Sequence, residues 1–330
     1  MIRASRHRFY ALAFALAGLF AGTAFAQANF PTKPVTLVVP VGTGGGTDLV
    51  ARRLAKALSD KWGQPVVVEN KPGASGIIGA MAVVKSPPDG YNLLLAYDGA
   101  VVAAPILVNR PDYDPATQLT AISQVSTQGY AVVVHPSVPA KNVAELIAHI
   151  KKKNAAKETF GFATSAPGAA DHLSGEALKM QAGVDVLMVH YKGTAPAIAD
   201  VVGGHAPYGH FSFTGALPHI KSGALRVLAV TSDKRSALLP DVPTVGETLK
   251  GYHYHSWIGV FGPAGMPAAL RERISKDVHA AVNSPDMAST MLSNGLVPTV
   301  SDPAAFTEYV RQDAARTAEV IKRAQIKAAQ

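Results

Sequence analysis

The chain has 330 residues, 48% of them hydrophobic and 16% charged, which excludes a disordered polymer and suffices for two domains of ordinary size. It has no cysteine, so burial rather than disulfide bridging stabilises it. Its formal charge of +8, reduced to +5 when the three arginines of the first 26 residues are set aside, suits an anionic small molecule. Lys151-Lys152-Lys153 is a cationic run at a solvated helix end and forms no basic patch, so nucleic acid is not an expected partner.

The first element is an export signal. Arg3, Arg6 and Arg8 precede an apolar run from about Tyr10 to Phe20, and Ala24-Phe25-Ala26 supplies a small-x-small site. This layout predicts a secretory signal peptide over residues 1–26, cleaved before Gln27, and a periplasmic mature chain. The apolar run is shorter than the roughly 20 residues of a membrane-spanning helix, and no cysteine stands near the cleavage site to carry a lipid.

Val35 to Val39 reads as a buried strand. It runs through Pro40 and the segment Val41-Gly42-Thr43-Gly44-Gly45-Gly46-Thr47-Asp48 into a helix with apolar residues at Leu49, Val50, Leu54, Leu58 and Trp62. Glycines at a strand-to-helix junction let a ligand approach backbone N–H groups at the positive end of the helix, where carboxylates and phosphates bind. The dinucleotide pattern G-x-G-x-x-G fails at Thr47, and no Gly-Lys-Ser/Thr ending marks a phosphate loop. A tight turn, with Asp48 as a helix-cap residue, explains the segment equally well.

Further on, Pro65 to Asn70 is a β-branched strand. Lys71 to Gly76 is a turn that carries Ser75 and opens a small-residue helix, and Tyr91 to Ala96 is a strand ending in Tyr97-Asp98-Gly99. Strands alternating with helices imply a mostly parallel sheet whose ligands sit beyond the carboxyl ends of the strands. A second unit starts near Tyr130: strand Ala131–Val134, a helix from about Val143 to Lys152, and strand Phe160–Ala163. The loop Thr164-Ser165-Ala166-Pro167-Gly168 then leads into a helix bearing Asp171 and His172. Val184 to His190 is a strand running into Tyr191-Lys192-Gly193, and Thr194 to Val202 a helix. After strand Leu225–Thr231, the tail gives a strand at Trp257–Phe261 and helices near 269–283, 285–294 and 303–324, which attach to the first unit.

The chain resembles the solute-binding receptors of tripartite tricarboxylate transporters, the Bug receptors. The resemblance rests on Pro31-x-Lys33-Pro34, the Pro40-to-Asp48 loop, Gly63 to Ala74, Pro88-Asp89-Gly90-Tyr91 and His135 to Pro139. In the second half it rests on Tyr191-Lys192-Gly193-x-x-Pro196-Ala197, Leu217 to Gly223, Leu228 to Ser232 and Leu239 to Thr244, all in collinear order across the mature chain. It implies an α/β, two-lobed periplasmic binding protein of the Venus-flytrap type, with two mixed, mostly parallel sheets and two crossover segments. Lobe one would comprise residues 27–126 and 255–330, and lobe two residues 127–254.

Carried over by position, the ligand-facing candidates in lobe one are Val41, Gly42, Thr43, Gly44, Gly45, Thr47, Asp48, Ser75, Tyr97, Asp98 and Gly99. In lobe two they are Ala163, Thr164, Ser165, Gly168, His172, Tyr191, Lys192, Phe211 and Ser212. The resemblance further implies a monomer without cofactor or metal that closes on a small carboxylated compound and presents it to membrane permease subunits. Thr164 and Ser165 read as helix caps without it, and Tyr97 and Phe211 equally as core aromatics.

Two departures bear on the ligand. Val41 replaces the family's usual aromatic residue. The stretch His205-Ala206-Pro207-Tyr208-Gly209-His210-Phe211-Ser212 replaces a Gln-Val-Asp run with its later Asp or Asn, which turns the expectation from an amino acid toward an unusual carboxylate, aromatic ones included.

An exported hydrolase would draw on Ser165, Asp171 and His172, but no G-x-S-x-G elbow surrounds a serine, and Asp171 adjoins His172 in a way that does not orient a triad. A metal site would draw on His253-x-His255 or on His205 with His210, and lacks a third ligand in any motif. A ligand sensor acting through a membrane signalling partner would show the same sequence as a transport receptor.

Overall fold

The computed structural model describes residues 30–108 and 110–326; the export signal lies outside the described residues. In chain order the strands are β1 (Val35–Val39), β2 (Val66–Asn70), β3 (Asn92–Tyr97), β4 (Leu119–Val134), β5 (Gly161–Thr164), β6 (Leu187–His190), β7 (Tyr208–Ser212), β8 (Arg226–Val230), β9 (His255–Pro263) and β10 (Val297–Pro298). The sheet order is β2-β1-β3-β9-β4-β7-β5-β6, and β8 and β10 also pair with β4.

Two mixed sheets are present, and they share one strand. The Leu119–Gly129 part of β4 pairs antiparallel with β9, while Tyr130–Val134 pairs antiparallel with β7 and, from Ala131, with β8. Around this shared strand, β1 lies parallel to β2 and β3, and β5 lies parallel to β6 and β7. The chain returns where Thr231 accepts the N–H of Tyr254 at 2.8 Å, just before β9 begins.

Alternation along the strands covers both faces of each sheet. Val35, Leu37 and Val39 of β1 pack with Leu54, Leu58 and Ile274, whereas Val38 points the other way toward Leu94, Trp257 and Phe306. In the second lobe Val132 and Val134 face Phe162 and Leu178, while Ala131 and Val133 face Phe211 and Ile198. Each such side chain, withdrawn completely from water, contributes about 1.5–3 kcal/mol.

The helix Gly46–Trp62 ends on Gly63, whose left-handed φ of 64° lets its N–H bond back to Ser59. The long helix Pro303–Arg323 is capped by Asp302, which accepts the Ala305 N–H at 2.8 Å. This helix joins the lobes. Phe306 near its start meets Trp257 in the first lobe, with ring centroids 5.4 Å apart, whereas Val320 and Ile321 near its end pack with Leu173 and Tyr252 in the second.

Candidate functional site

The glycine loop of the first lobe is exposed from Gly42 to Gly46. Gly44 takes a φ of +90°, and Gly45, extended at φ −83° and ψ 171°, precedes the helix without a side-chain cap. Asp48 points inward and is buried. It accepts the Gly44 N–H at 3.0 Å, Arg52 Nε at 3.0 Å and Asn70 Nδ2 at 2.9 Å, and the same Asn70 amide reaches Val41 O at 3.1 Å. Burial pushes the Asp48 carboxyl up, but the Arg52 guanidinium, the Gly44 N–H and the Asn70 amide outweigh it and hold the group below its ordinary value. Asp48 therefore fixes the loop's shape and takes one of its amide donors for itself.

The second lobe shapes its loop in the same way with different residues. Asp171, in the first turn of the helix Ala170–Ala182, accepts the Ser165 N–H at 2.5 Å and the Ser165 hydroxyl at 2.8 Å. His172 Nδ1 accepts the Gly168 N–H at 2.8 Å, which leaves the ring proton on Nε2. That Nε2 lies 3.8 Å from Glu176, whose other oxygen is 3.8 Å from Lys179 Nζ. The His190 ring stands edge-on to His172 at 4.7 Å, and burial together with the His172 ring pushes His190 below its ordinary value. Ser165 thus faces a carboxylate and His172 a backbone amide, so no imidazole is placed to deprotonate the serine, as nucleophilic catalysis requires.

A cavity of about 850 Å³ lies between the lobes. From the first lobe come Ser75, Tyr97, Asp98 and Gly99; from the second, Ala166 to Ala170 with His172, Glu176, Met188 and His190; from the junction, Tyr130, Tyr254 and Ser256. Ala324 to Ile326 close one side. A smaller hollow of about 250 Å³ at the start of the helix Gly46–Trp62 is lined by Val41, Gly46, Thr47 and Gln128, and shares Tyr97 and Ser256 with the larger one.

Of the residues expected from the sequence, Ser75, Tyr97, Asp98, Gly99, Gly168 and His172 line the large cavity, and Val41 and Thr47 the small one. The others line neither. Gly42, Thr43, Gly44 and Gly45 form the exposed rim of their loop, and Lys192 is also exposed. Asp48 and Ser165 are engaged as described. Ala163, Thr164 and Phe211 are completely buried, Phe211 within the second-lobe core, while the Tyr191 hydroxyl donates to Asp200 and Ser212 starts the next helix. Tyr130, Glu176, His190, Tyr254 and Ser256 were not anticipated. His190 ends β6, so the strand-end rule that found Tyr97 could have found it as well.

Asp98 is a strongly perturbed carboxyl of the cavity wall. Burial pushes its carboxyl up to about 7; the Ser256 hydroxyl, donating at 2.5 Å, opposes that rise and Asp313 adds to it. Among the described residues no group of three His, Asp or Glu is placed to hold a metal ion. His210 bonds Ser174 at 2.5 Å, His255 bonds Tyr309 at 2.6 Å, and Arg316 donates to His253. None of the described helices is long and apolar enough to cross a membrane.

Comparison with known proteins agrees with this architecture. The model of the tripartite tricarboxylate transporter family receptor matches residues 50–326. A protein of the TAR-I ttuE-ttuC' intergenic region of Agrobacterium vitis is 36% identical over 303 residues, covering 91% of this chain and 86% of that one. The structure of R. palustris Rpa4515 with adipate superposes with a TM-score of 0.74 at 33% identity, covering 90% of this chain and 99% of that chain. The periplasmic binding protein BugD superposes with a TM-score of 0.70 at 36% identity, covering 90% and 99%. The two-lobed α/β chain described above belongs to the tripartite tricarboxylate transporter receptor family and is a solute-binding receptor.

Proposed function

We propose that the protein captures a small organic carboxylate in the cavity between its lobes, outside the cytoplasmic membrane, and hands it to membrane permease subunits. The supporting observation is the makeup of the wall. It is drawn from both lobes and contains no lysine or arginine, so an anion is met by backbone N–H groups, hydroxyls and imidazoles. The first N–H groups of the helices at Gly46 and Ala170 are free of intrahelical partners and carry the positive ends of the helix dipoles. One helix opens at the small hollow and the other at the large cavity, so a carboxylate can be held at either.

The proposed contacts are Ser75, Tyr97, Gly99, Gly168 and His172, with Val41 and Thr47 at the far end. Residues 1–26 direct export, and the mature monomer binds without chemistry. The lobes divide where β4 exchanges β9 for β7 and where the chain re-enters β9. Closing about these two strands excludes water and strengthens each hydrogen bond to the anion. The structure of Rpa4515 with adipate, at 33% identity, supports a small carboxylate as the class of ligand.

A thermal-shift screen of the mature chain against mono-, di- and tricarboxylates, aromatic ones included, tests the reading. A Tm that climbs with the logarithm of ligand concentration supports it. Indifference of Tm to every carboxylate overturns it.

A further inference from the structure

We propose that the large cavity contains a cation subsite, formed by Asp98 together with Tyr97, Tyr130 and Tyr254, and that the solute is a carboxylate carrying an ammonium group at its other end. This rests on the carboxylate reading above and specifies the solute further.

All four residues line the same cavity. Asp98 sits at the end of β3, Tyr130 in β4 where that strand changes partners, and Tyr254 in the returning segment, so three separate parts of the chain converge. The field of Asp98 is felt by the hydroxyls of Tyr97, Tyr130 and Tyr254, each of which is pushed up by burial first and by Asp98 next. The Tyr130 and Tyr254 rings lie 6.3 Å apart at a tilt of 56°, forming a corner rather than a stack. Aromatic faces around a carboxylate are the surroundings that attract an organic ammonium ion, through the ring quadrupole and through direct charge.

Asp98 also lacks a counter-charge. It is 9% exposed, and its side-chain partner is the Ser256 hydroxyl, a neutral donor. The charged side chain that acts on it, Asp313, has the same sign. Tyr254, beside it in the cavity wall, is 6% exposed. The remaining charged side chain of the wall, Glu176, is acidic too. An ionised carboxylate withdrawn from water is costly unless it is paired, and an incoming ammonium group supplies the pair. A second ligand carboxylate in this cavity would instead share it with the acidic side chains of Asp98 and Glu176.

The sequence departures pointed away from amino-bearing ligands, because the carboxylates usual after Gly203-Gly204 are missing. The cavity provides acidic side chains from other elements. The hollow that holds Gly46 and Thr47 adjoins this corner through Tyr97 and Ser256, so the carboxylate end of such a ligand can lie there.

Three probes separate the outcomes: hexanoate, adipate and 6-aminohexanoate, titrated calorimetrically into the mature chain. 6-Aminohexanoate is expected to bind at least about tenfold more tightly than adipate. Asp98→Asn, which keeps an acceptor for Ser256, should abolish that preference while hexanoate binding persists, and Tyr254→Leu should reduce it. Adipate binding as well as or better than 6-aminohexanoate overturns the cation subsite and leaves the carboxylate reading standing. Silence from all three probes, and from the wider carboxylate screen, overturns both. Should Asp98→Asn fail to fold, the wild-type pH profile decides. Asp98 shares the wall with Glu176, His172, His190 and the three tyrosines and feels the charge of Asp313, so the preference for 6-aminohexanoate over hexanoate should grow from about pH 5.5 to about pH 8 as Asp98 ionises, and a flat profile counts against the subsite.

Discussion

Each lobe presents a strand, a short loop and a helix to the space between them, and each holds its loop with an aspartate from the helix's first turn. Asp48 takes the Gly44 N–H and Asp171 takes the Ser165 N–H. The rest differs. In the second lobe the serine hydroxyl and His172 add two further ties, so the loop is fixed by side chains at both ends. In the first lobe the loop is mostly glycine, its rim is exposed, and its second tie, Asn70 to Val41 O, comes from the neighbouring strand β2. An anion site built from backbone amides must first be shaped, and shaping it removes donors from the ligand. The second lobe gives up more donors and ties its loop at more points; the first keeps more of them free.

That contrast predicts unequal consequences for equal substitutions. Asp171→Ala strands the Ser165 N–H and hydroxyl in a half-buried place, and hydrogen bonds to a charged acceptor are worth about 1.5–3 kcal/mol each. A loss of about 3 kcal/mol in urea unfolding is expected, together with weaker carboxylate binding, while Ser165→Ala should cost about 1 kcal/mol. Asp48→Ala is expected to cost less, about 1–2 kcal/mol, because its Arg52 partner is half exposed and a solvated ion pair adds little. Its pH dependence has a definite sign. The folded pKa of Asp48 is lowered, so its contribution is complete above the ordinary carboxylate pKa and disappears as pH falls through the folded value. Wild type and Asp48→Ala should therefore differ most at neutral pH and converge in acid. An Asp48→Ala cost equal to that of Asp171→Ala would show that the glycine loop is held as tightly as its counterpart.

The first lobe was the more legible in sequence, for the same reason that it is the simpler one. β1, β2 and β3 are runs of β-branched and leucine residues between turn signals, and the loops beyond their ends include Ser75, Tyr97, Asp98 and Gly99, all at the cavity. In the second lobe β7 was not foreseen. Tyr208-Gly209-His210 follows a proline and mixes glycine with a polar ring, yet it forms a fully buried strand between β4 and β5. Gly209 is required there because a Cβ would come within 2.5 Å of the Phe211 ring, and His210 is tolerated because Ser174 on another helix meets its Nδ1. Neither fact has a local signature. β4 was read from Ala131 only, because Ser123, Gln124, Ser126 and Thr127 interrupt its apolar pattern, although the first three are buried where the strand passes between lobes. Tyr130, Tyr254 and Ser256 reach the cavity because two distant segments pair at the junction, which no spacing along the chain records.

The smallest change in stability separates the two roles of the glycine loop. Gly44 has a φ of +90°, so a threonine there is strained wherever its side chain goes and should cost about 1–2 kcal/mol before any ligand is added. Gly45 has ordinary extended dihedrals, a Cβ there meets nothing within 4 Å, and it occupies the N-cap position, where threonine is about as favourable as glycine. Gly45→Thr should thus leave Tm almost unchanged. Its hydroxyl and methyl would stand over the free amides at Gly46 and Thr47, with the hydroxyl taking one of them as a cap, so carboxylate affinity should fall several-fold. Parallel losses of Tm and affinity in Gly45→Thr would mean that the glycines serve the turn alone. Undiminished affinity with an unchanged Tm would move the carboxylate entirely to the second lobe, where Asp171 and His172 have already set the loop.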